Sequence, residues 1–407
     1  MLSSGLTGLV RWRRRIGQTA VAVALAATLA ACGGSSSGPM FPGFGAAPSG
    51  PGLTTQAPSG EIIGNGSVRV ALLVPSSAQG QAASIAPIFK NAARMAMNDF
   101  PNGDVQLLVK DTGGTAEGAR AAAQQAVAEG AELIIGPVFA PAVNGAAAVA
   151  RPAGVPIIAF SSDASVASRG VYLLSFLPKN DVRRIVSYSV ARGKKSFAAI
   201  VPNNAYGGVA EAAFREYAGQ YGARVLAIER YAGTEADIKE KAENIARLGG
   251  QIDAVFMPDG GAAVPIIART LVTAGVNPQT VKFVGTGQWD SPAILSAPSL
   301  AGGWFAGPSK KDFPGFASRY AGQFGSPPPR TATLAYDATI LSLGLVRSAG
   351  SRRFAEDVLT SSDGFLGIDG VFRLRNDGTN QRGLAIYEVK SGSATVVDPA
   401  PRSFAGF

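Results

Sequence analysis

Val68-Arg69-Val70-Ala71-Leu72-Leu73-Val74 is an apolar run built from strand-forming side chains. Helical spacing follows at Ile85, Ile88, Phe89, Ala92 and Met95, and it stops near Pro101-Asn102-Gly103. Residues 105–109 read as a second strand. Thr115 is placed to cap a helix whose inner face is Ala119, Ala122, Ala123, Ala126 and Val127, closed by Gly130. Those small side chains let a helix lie close to a sheet. A third strand spans 133–135 and ends at Gly136-Pro137. A short helix covers 144–150, and a fourth strand covers 155–160. Short apolar strands alternating with helices predict a parallel, doubly wound α/β sheet with helices on both faces.

The rhythm restarts downstream. Residues 181–191, 208–221 and 264–274 read as helices, and 197–201, 225–230, 254–257 and 281–285 as strands. Thr234-Glu235-Ala236-Asp237 resembles a capping box before a helix marked by Ile238, Ala242 and Ile245. Two similar α/β halves therefore divide near residues 175–179. The last third is less regular. Helices are expected at 313–324, 331–348 and 352–359, strands at 365–372 and 384–389, and a loose tail after Asp398.

Composition narrows the chemistry. The chain has 407 residues, 46% of them hydrophobic, enough for two or three domains with real cores. It has no His and one Cys. That excludes Ser-His-Asp and Cys-His catalysis, internal disulfides and thiolate metal sites. No carboxylate or thiolate cluster points to a metal, and no phosphate loop or dinucleotide fingerprint points to a cofactor. Gly64-Asn65-Gly66 precedes the first strand instead of following it. No catalytic residue is expected. The net charge of +9 hints at an anionic partner, but no basic run interleaved with aromatics supports nucleic-acid binding.

Four of the basic residues, Arg11, Arg13, Arg14 and Arg15, precede the Ala- and Val-rich run at 17–31. A charged start, a short apolar run and small residues at its end describe an export signal over residues 1–31. The run is too short to span a bilayer comfortably, which takes about 20 apolar residues. Leu29-Ala30-Ala31-Cys32 resembles the lipobox of bacterial lipoproteins, which implies acylation of Cys32 and anchoring in a membrane. Gly33 in the next position implies, by the same resemblance, the outer membrane and a periplasmic orientation. Residues 32–66 are expected to form a Gly/Pro/Ser-rich tether. Gly34-Ser35-Ser36-Ser37-Gly38 matches a nucleophile pattern but has no preceding strand.

The segments Val68 to Ser76, Ile134-Ile135-Gly136-Pro137-Val138 and Val155 to Ser162 resemble type I periplasmic binding proteins of the Leu/Ile/Val-binding branch. Asn203-Asn204-Ala205-Tyr206-Gly207 and Asp253-Ala254-Val255-Phe256 resemble that family's second lobe. The resemblance implies two lobes, each a doubly wound, mostly parallel sheet, joined by a three-strand hinge. It places lobe one at 67–176 plus 309–362, lobe two at 178–305 plus 368–395, and a tail at 396–407. The crossovers fall near 176–178, 306–308 and 365–367. A ligand would lie in the cleft, outside the carboxyl ends of the strands.

The cleft candidates follow from that placement. They are Ser76, Ser77 and Gln79 after the first strand, and Ser161, Ser162 and Asp163 after the fourth. Lobe two adds Tyr206, Asp259, Trp289 and Asp290. Several have structural alternatives. Asp163 equally suits a turn, Trp289 equally suits packing under the hinge, and Ser76, Ser77 and Gln79 equally suit a helix cap. Family amino-acid receptors hold the ligand carboxylate with hydroxyls after strands three and four. Here Phe139-Ala140-Pro141-Ala142 has none, and Asp163 stands where the family places a carboxylate-binding Thr.

Gly285-Thr286-Gly287-Gln288-Trp289-Asp290 and Gly302-Gly303-Trp304-Phe305-Ala306 resemble a sub-branch, the penicillin-binding protein activators. That resemblance implies a non-enzymatic outer-membrane lipoprotein that stimulates a bifunctional penicillin-binding protein in peptidoglycan synthesis. The alternative is the substrate-binding protein of a branched-chain-type amino-acid ABC transporter, whose partner is a permease and whose ligand is small.

Overall fold

The computed structural model describes residues 55–404. The export signal, Cys32 and the first part of the tether lie outside the described residues.

The first sheet collects β1 (Ile62–Ile63), β2 (Val68–Val74), β3 (Val105–Asp111), β4 (Leu133–Ile135), β5 (Ile157–Ala159) and β6 (Val171–Leu173), with α1 (Ile85–Asp99), α2 (Ala116–Ala128) and α3 (Ala140–Ala150) between strands. Its order is β1-β3-β2-β4-β5-β6, and only β1 runs antiparallel. Alternation along β2 sends Val70, Leu72 and Val74 to one face with Phe89 and Met95. Ala71 and Leu73 meet the alanines of α2 and α3 on the other. The small-residue expectation holds here. A side chain at Gly145 of α3 would strike the carbonyl of Ala116, so the two helices touch backbone to backbone. Thr115 caps α2 by accepting from Gly118 N–H at 3.0 Å.

The second half builds α4 (Pro178–Ala191), β7 (Ser196–Pro202), α5 (Ala205–Gln220), β8 (Arg224–Tyr231), α6 (Glu235–Ala246), β9 (Ala254–Phe256), α7 (Ala263–Thr273), β10 (Lys282–Gly285), α8 (Pro292–Leu295) and β11 (Trp304–Gly307). The chain then returns to the first lobe, where α9 (Phe313–Phe324) and α10 (Ala332–Ala349) cover the β2 face through Phe316, Tyr320 and Leu334. A short α11 (Glu356–Leu359) follows. An antiparallel three-stranded sheet comes next, formed by β12 (Phe365–Gly367), β13 (Gly370–Leu374) and β14 (Asn380–Arg382). Finally β15 (Ala385–Lys390) and β16 (Ser393–Asp398) complete the second sheet, ordered β16-β15-β11-β10-β9-β7-β8. Two mostly parallel sheets with helices on both faces give the two α/β lobes that the resemblance implies.

Four local expectations need correction. The stretch before Gly66 is partly built into the fold: Ile62 and Ile63 pair with Leu108 and Leu107, and Ile63 joins the core. A free edge of β3 pulled two isoleucines out of a polar, Gly-rich context. The third crossover is not at 365–367. Phe372 and Leu374 pack in the first lobe's core, and the chain enters lobe two between β14 and β15. The expected strand at 365–372 is a hairpin, and the expected helix at 352–359 shrinks to one turn, α11.

The tail is not loose as far as Phe404, the last described residue. After β16, residues 399–404 cross back to the first lobe, where the ring of Phe404 lies over Gly364 and beneath the Arg373 guanidinium, 4.6 Å from its centroid. Phe404 is buried at 4% exposure. Phe404→Ala is expected to cost about 3 kcal/mol, read as a shift in the urea unfolding midpoint.

Candidate functional site

The carboxyl ends of β4, β5 and β6 open onto one cavity of about 500 Å³ on lobe one. Its walls are largely apolar: Ile85, Ile88 and Phe89 of α1, Val138 and Phe139 before α3, Phe160 after β5, Phe176 at the first crossover, and Leu334 of α10. Local constraints set this shape. Gly136 has φ +87°, and a side chain there would strike the Leu73 carbonyl, so only glycine lets the chain turn sharply off β4. Phe160 is fixed edge-on against Phe89, with ring centroids 4.9 Å apart. Ser175 Oγ donates to the Phe160 carbonyl at 3.1 Å.

Three of the sequence candidates line this cavity: Ser161, Ser162 and Asp163. Ser161 Oγ accepts from Asp163 N–H at 3.2 Å, and Asp163 Oδ1 accepts from Ser165 N–H at 2.9 Å. Hydrogen bonds from Ser165 hold the Asp163 carboxyl below its ordinary range. Asp163 is thus both a turn residue and a charged group on the rim. Ser76, Ser77 and Gln79 are exposed and do not line the cavity. Ser77 N–H instead donates to Asp111 Oδ1 at 3.1 Å, in a turn that also takes Gly113 N–H.

In lobe two, Tyr206 OH is 2.8 Å from Oγ1 of the buried Thr286. Burial, then the nearby Asp181 charge, pushes the Tyr206 phenol upward. Asp181 Oδ2 accepts from Gly287 N–H at 2.9 Å, and burial pushes its carboxyl up to about 7. Asp259 accepts from Tyr231 OH and lines a separate depression of about 380 Å³ beside Asn203 and Asn204. Asp290 pairs with Lys310, tying the loop after β10 to the second crossover.

Trp289 follows the packing alternative and not the cleft one. The indole is fully buried in the second lobe's core, its Nε1–H donates to the Met257 carbonyl at 2.9 Å, and it packs against Phe305. Side chains at Gly285 or Gly303 would collide with it. Those glycines accommodate the ring, so the glycine-tryptophan pattern at 285–289 reports packing.

The sequence reading missed the hinge charges. Arg382 is buried at 3% exposure, and its Nε donates to the Ser175 carbonyl at 3.1 Å. Its two Nη atoms have no hydrogen-bond partner, nor does Oδ2 of the buried Asp337. Burial lowers the Arg382 pKa, opposed by the charges of Asp369, Asp337 and Asp181. Burial likewise pushes Asp337 up to about 7. Asp181 precedes these residues by more than 150 positions, and no local pattern joins them. A further cavity of about 330 Å³, between the lobes, shares Ser162 and is lined by Lys179, Arg183, Arg375, Glu216 and Asp377. Among the described residues there is no cluster of potential metal ligands and no helix long and apolar enough to cross a membrane.

The periplasmic binding protein family model matches residues 67–394. No curated protein matches the chain. A solved structure from Rhodospirillum rubrum, assigned to a branched-chain amino acid ABC transporter, is 20% identical with a TM-score of 0.71, covering 81% of this chain and 99% of its own. A branched chain amino acid ABC transporter periplasmic ligand-binding protein of Burkholderia xenovorans is 20% identical with a TM-score of 0.64, covering 82% and 96%. An ABC-transporter solute binding protein of R. palustris, in complex with benzoate, is 17% identical with a TM-score of 0.55, covering 83% and 97%. At these identities the likeness is one of fold. The family match extends over most of the chain, and the chain belongs to the periplasmic binding protein family.

Proposed function

We propose that this protein is the solute-binding component of an ABC-type importer, holding a small molecule between its lobes and delivering it to a permease. The observation that carries this reading is the lobe-one cavity: concave, apolar, of ligand size, and sited at the carboxyl ends of parallel strands. The reading is non-enzymatic. It includes an envelope location through an acylated Cys32, with the outer membrane implied only by the lipobox resemblance.

The activator reading is weaker. It leaned on the 285–290 and 302–306 segments, and packing of Trp289 against Gly285 and Gly303 accounts for their composition.

Two experiments test the proposal. Native mass spectrometry of the full-length chain in detergent, after exposure to a small-molecule extract of its source cells, is expected to retain one small mass. Affinity capture from solubilised envelope is expected to recover permease subunits. Recovery of a bifunctional penicillin-binding protein without permease, and without a retained ligand, overturns the importer reading in favour of the activator.

A further inference from the structure

The ligand's chemistry is legible in what the lobe-one cavity offers and withholds. Four phenylalanines, Phe89, Phe139, Phe160 and Phe176, contribute to its walls. Their faces suit a ring, and an aromatic-lined site also attracts a cation. No Lys or Arg lines it, and its one charged group is Asp163.

An anion finds no cationic side chain here, only the hydroxyls of Ser161, Ser162 and Thr331. Three helices begin at the cavity, and a helix N-terminus ordinarily attracts negative charge. One of them, α10, has spent those donors, and α1 has only part of its set. Ile85 N–H of α1 is taken by Ala82, and the third residue of that helix is Pro87. Ala332, Thr333 and Leu334 of α10 donate to Pro329, Arg330 and Thr331. The third helix, α3, offers at most Ala140 and Ala142, because Pro141 has no N–H and Val143 donates to Phe139. Ser175 is committed to Phe160.

We propose that this cavity takes a small aromatic amine, a ring-bearing molecule with a cationic nitrogen and no carboxylate, whose nitrogen meets Asp163. Asp163 accepts from Ser165, and its carboxylate stands exposed on the rim, where an incoming cation can reach it. The proposal rests on the solute-binding reading. Its nearest competitor is an aromatic acid reaching past Ser162 to Arg183 in the neighbouring cavity.

Calorimetry on the full-length chain with three probes separates them: 2-phenylethylamine, 3-phenylpropionate and phenylalanine. The amine is expected to bind at least about tenfold more tightly than either carboxylate-bearing probe. Asp163→Asn, which keeps the side-chain cap for Ser165, is expected to weaken the amine about tenfold and leave 3-phenylpropionate unchanged or tighter. Arg183→Ala is expected to change nothing. Tighter binding of 3-phenylpropionate, lost in Arg183→Ala, overturns the proposed class and leaves the solute-binding reading standing. Equal amine affinity in Asp163→Asn also overturns it. Failure of all three probes overturns the proposed class, while the retained mass from cell extract decides the importer reading independently.

Discussion

Trp289→Ala is expected to lower the stability of the protein by about 3–5 kcal/mol, the largest single effect in lobe two. The indole is fully buried, contacts Phe305, and fills the space left by Gly285 and Gly303. Alanine leaves a cavity with rigid backbone on two sides, so the site cannot collapse to refill it. The Met257 carbonyl also loses the indole donor and keeps Asp259 N–H at 3.0 Å, so this adds at most about 1 kcal/mol. Trp289→Phe keeps much of the packing and loses that donor, so a smaller loss of about 1–2 kcal/mol is expected. Urea unfolding followed by circular dichroism measures both. If Trp289 were instead a surface anchor, alanine would abolish ligand or partner binding with no change in the unfolding midpoint. That result would overturn its assignment to the core.

The second large effect lies in lobe one. Lys110 on β3 and Glu129 at the carboxyl end of α2 form a buried ion pair at 2.6 Å, with side chains 3% and 2% exposed. Ser59 closes the site: its carbonyl accepts from Lys110 Nζ at 2.8 Å and its hydroxyl donates to Glu129 at 2.8 Å. Lys110→Ala strands a buried carboxylate at the negative end of a helix and is expected to cost about 3–5 kcal/mol. The double variant Lys110→Met, Glu129→Leu removes both charges and is expected to recover most of that loss.

A pH series adds an independent check. Burial works against ionisation of Glu129, but hydrogen bonds from Lys110 and Ser59 and the Lys110 charge outweigh it, holding its pKa below the ordinary value. A depressed folded-state pKa contributes stability that is present above the unfolded pKa and lost as pH falls through the folded one. Wild type therefore loses this contribution on acidification, and the double variant has none to lose. Identical acid slopes for the two proteins would contradict the assignment.

Much of the architecture was readable because it is encoded locally. Strands such as Val68–Val74 declare themselves by composition, and α2 by Thr115 and its alanine face. Those signals depend only on backbone geometry and a few neighbouring side chains. The cleft was readable as a region for the same reason: the ends of parallel strands follow once the strands are placed. Asp163 and its neighbours at the end of β5 were found this way. The apolar wall opposite them was not, because Phe89, Phe176 and Leu334 come from three distant segments.

Elsewhere the local signal was absent or misleading. Ile62 and Ile63 lie in a Gly- and Ser-rich stretch that composition marks as tether, and only the open edge of β3 makes them a strand. Trp289 sits on a post-strand loop, where exposure is the ordinary expectation, yet two glycines and Met257 draw it into the core. Arg382, Asp337 and Asp181 influence one another only because β14, α10 and α4 meet in the fold.

The sequence by itself therefore determined the alternation of strand and helix, the two α/β halves and the absence of histidine and disulfide chemistry. The tertiary structure alone decided which side chains are buried, where the third crossover lies, that Phe404 is pinned to lobe one, and which groups share a cavity. The physical reason is range: helix and strand propensity act over a few residues. Burial, ion pairing and cavity shape depend on surfaces brought together from hundreds of residues apart.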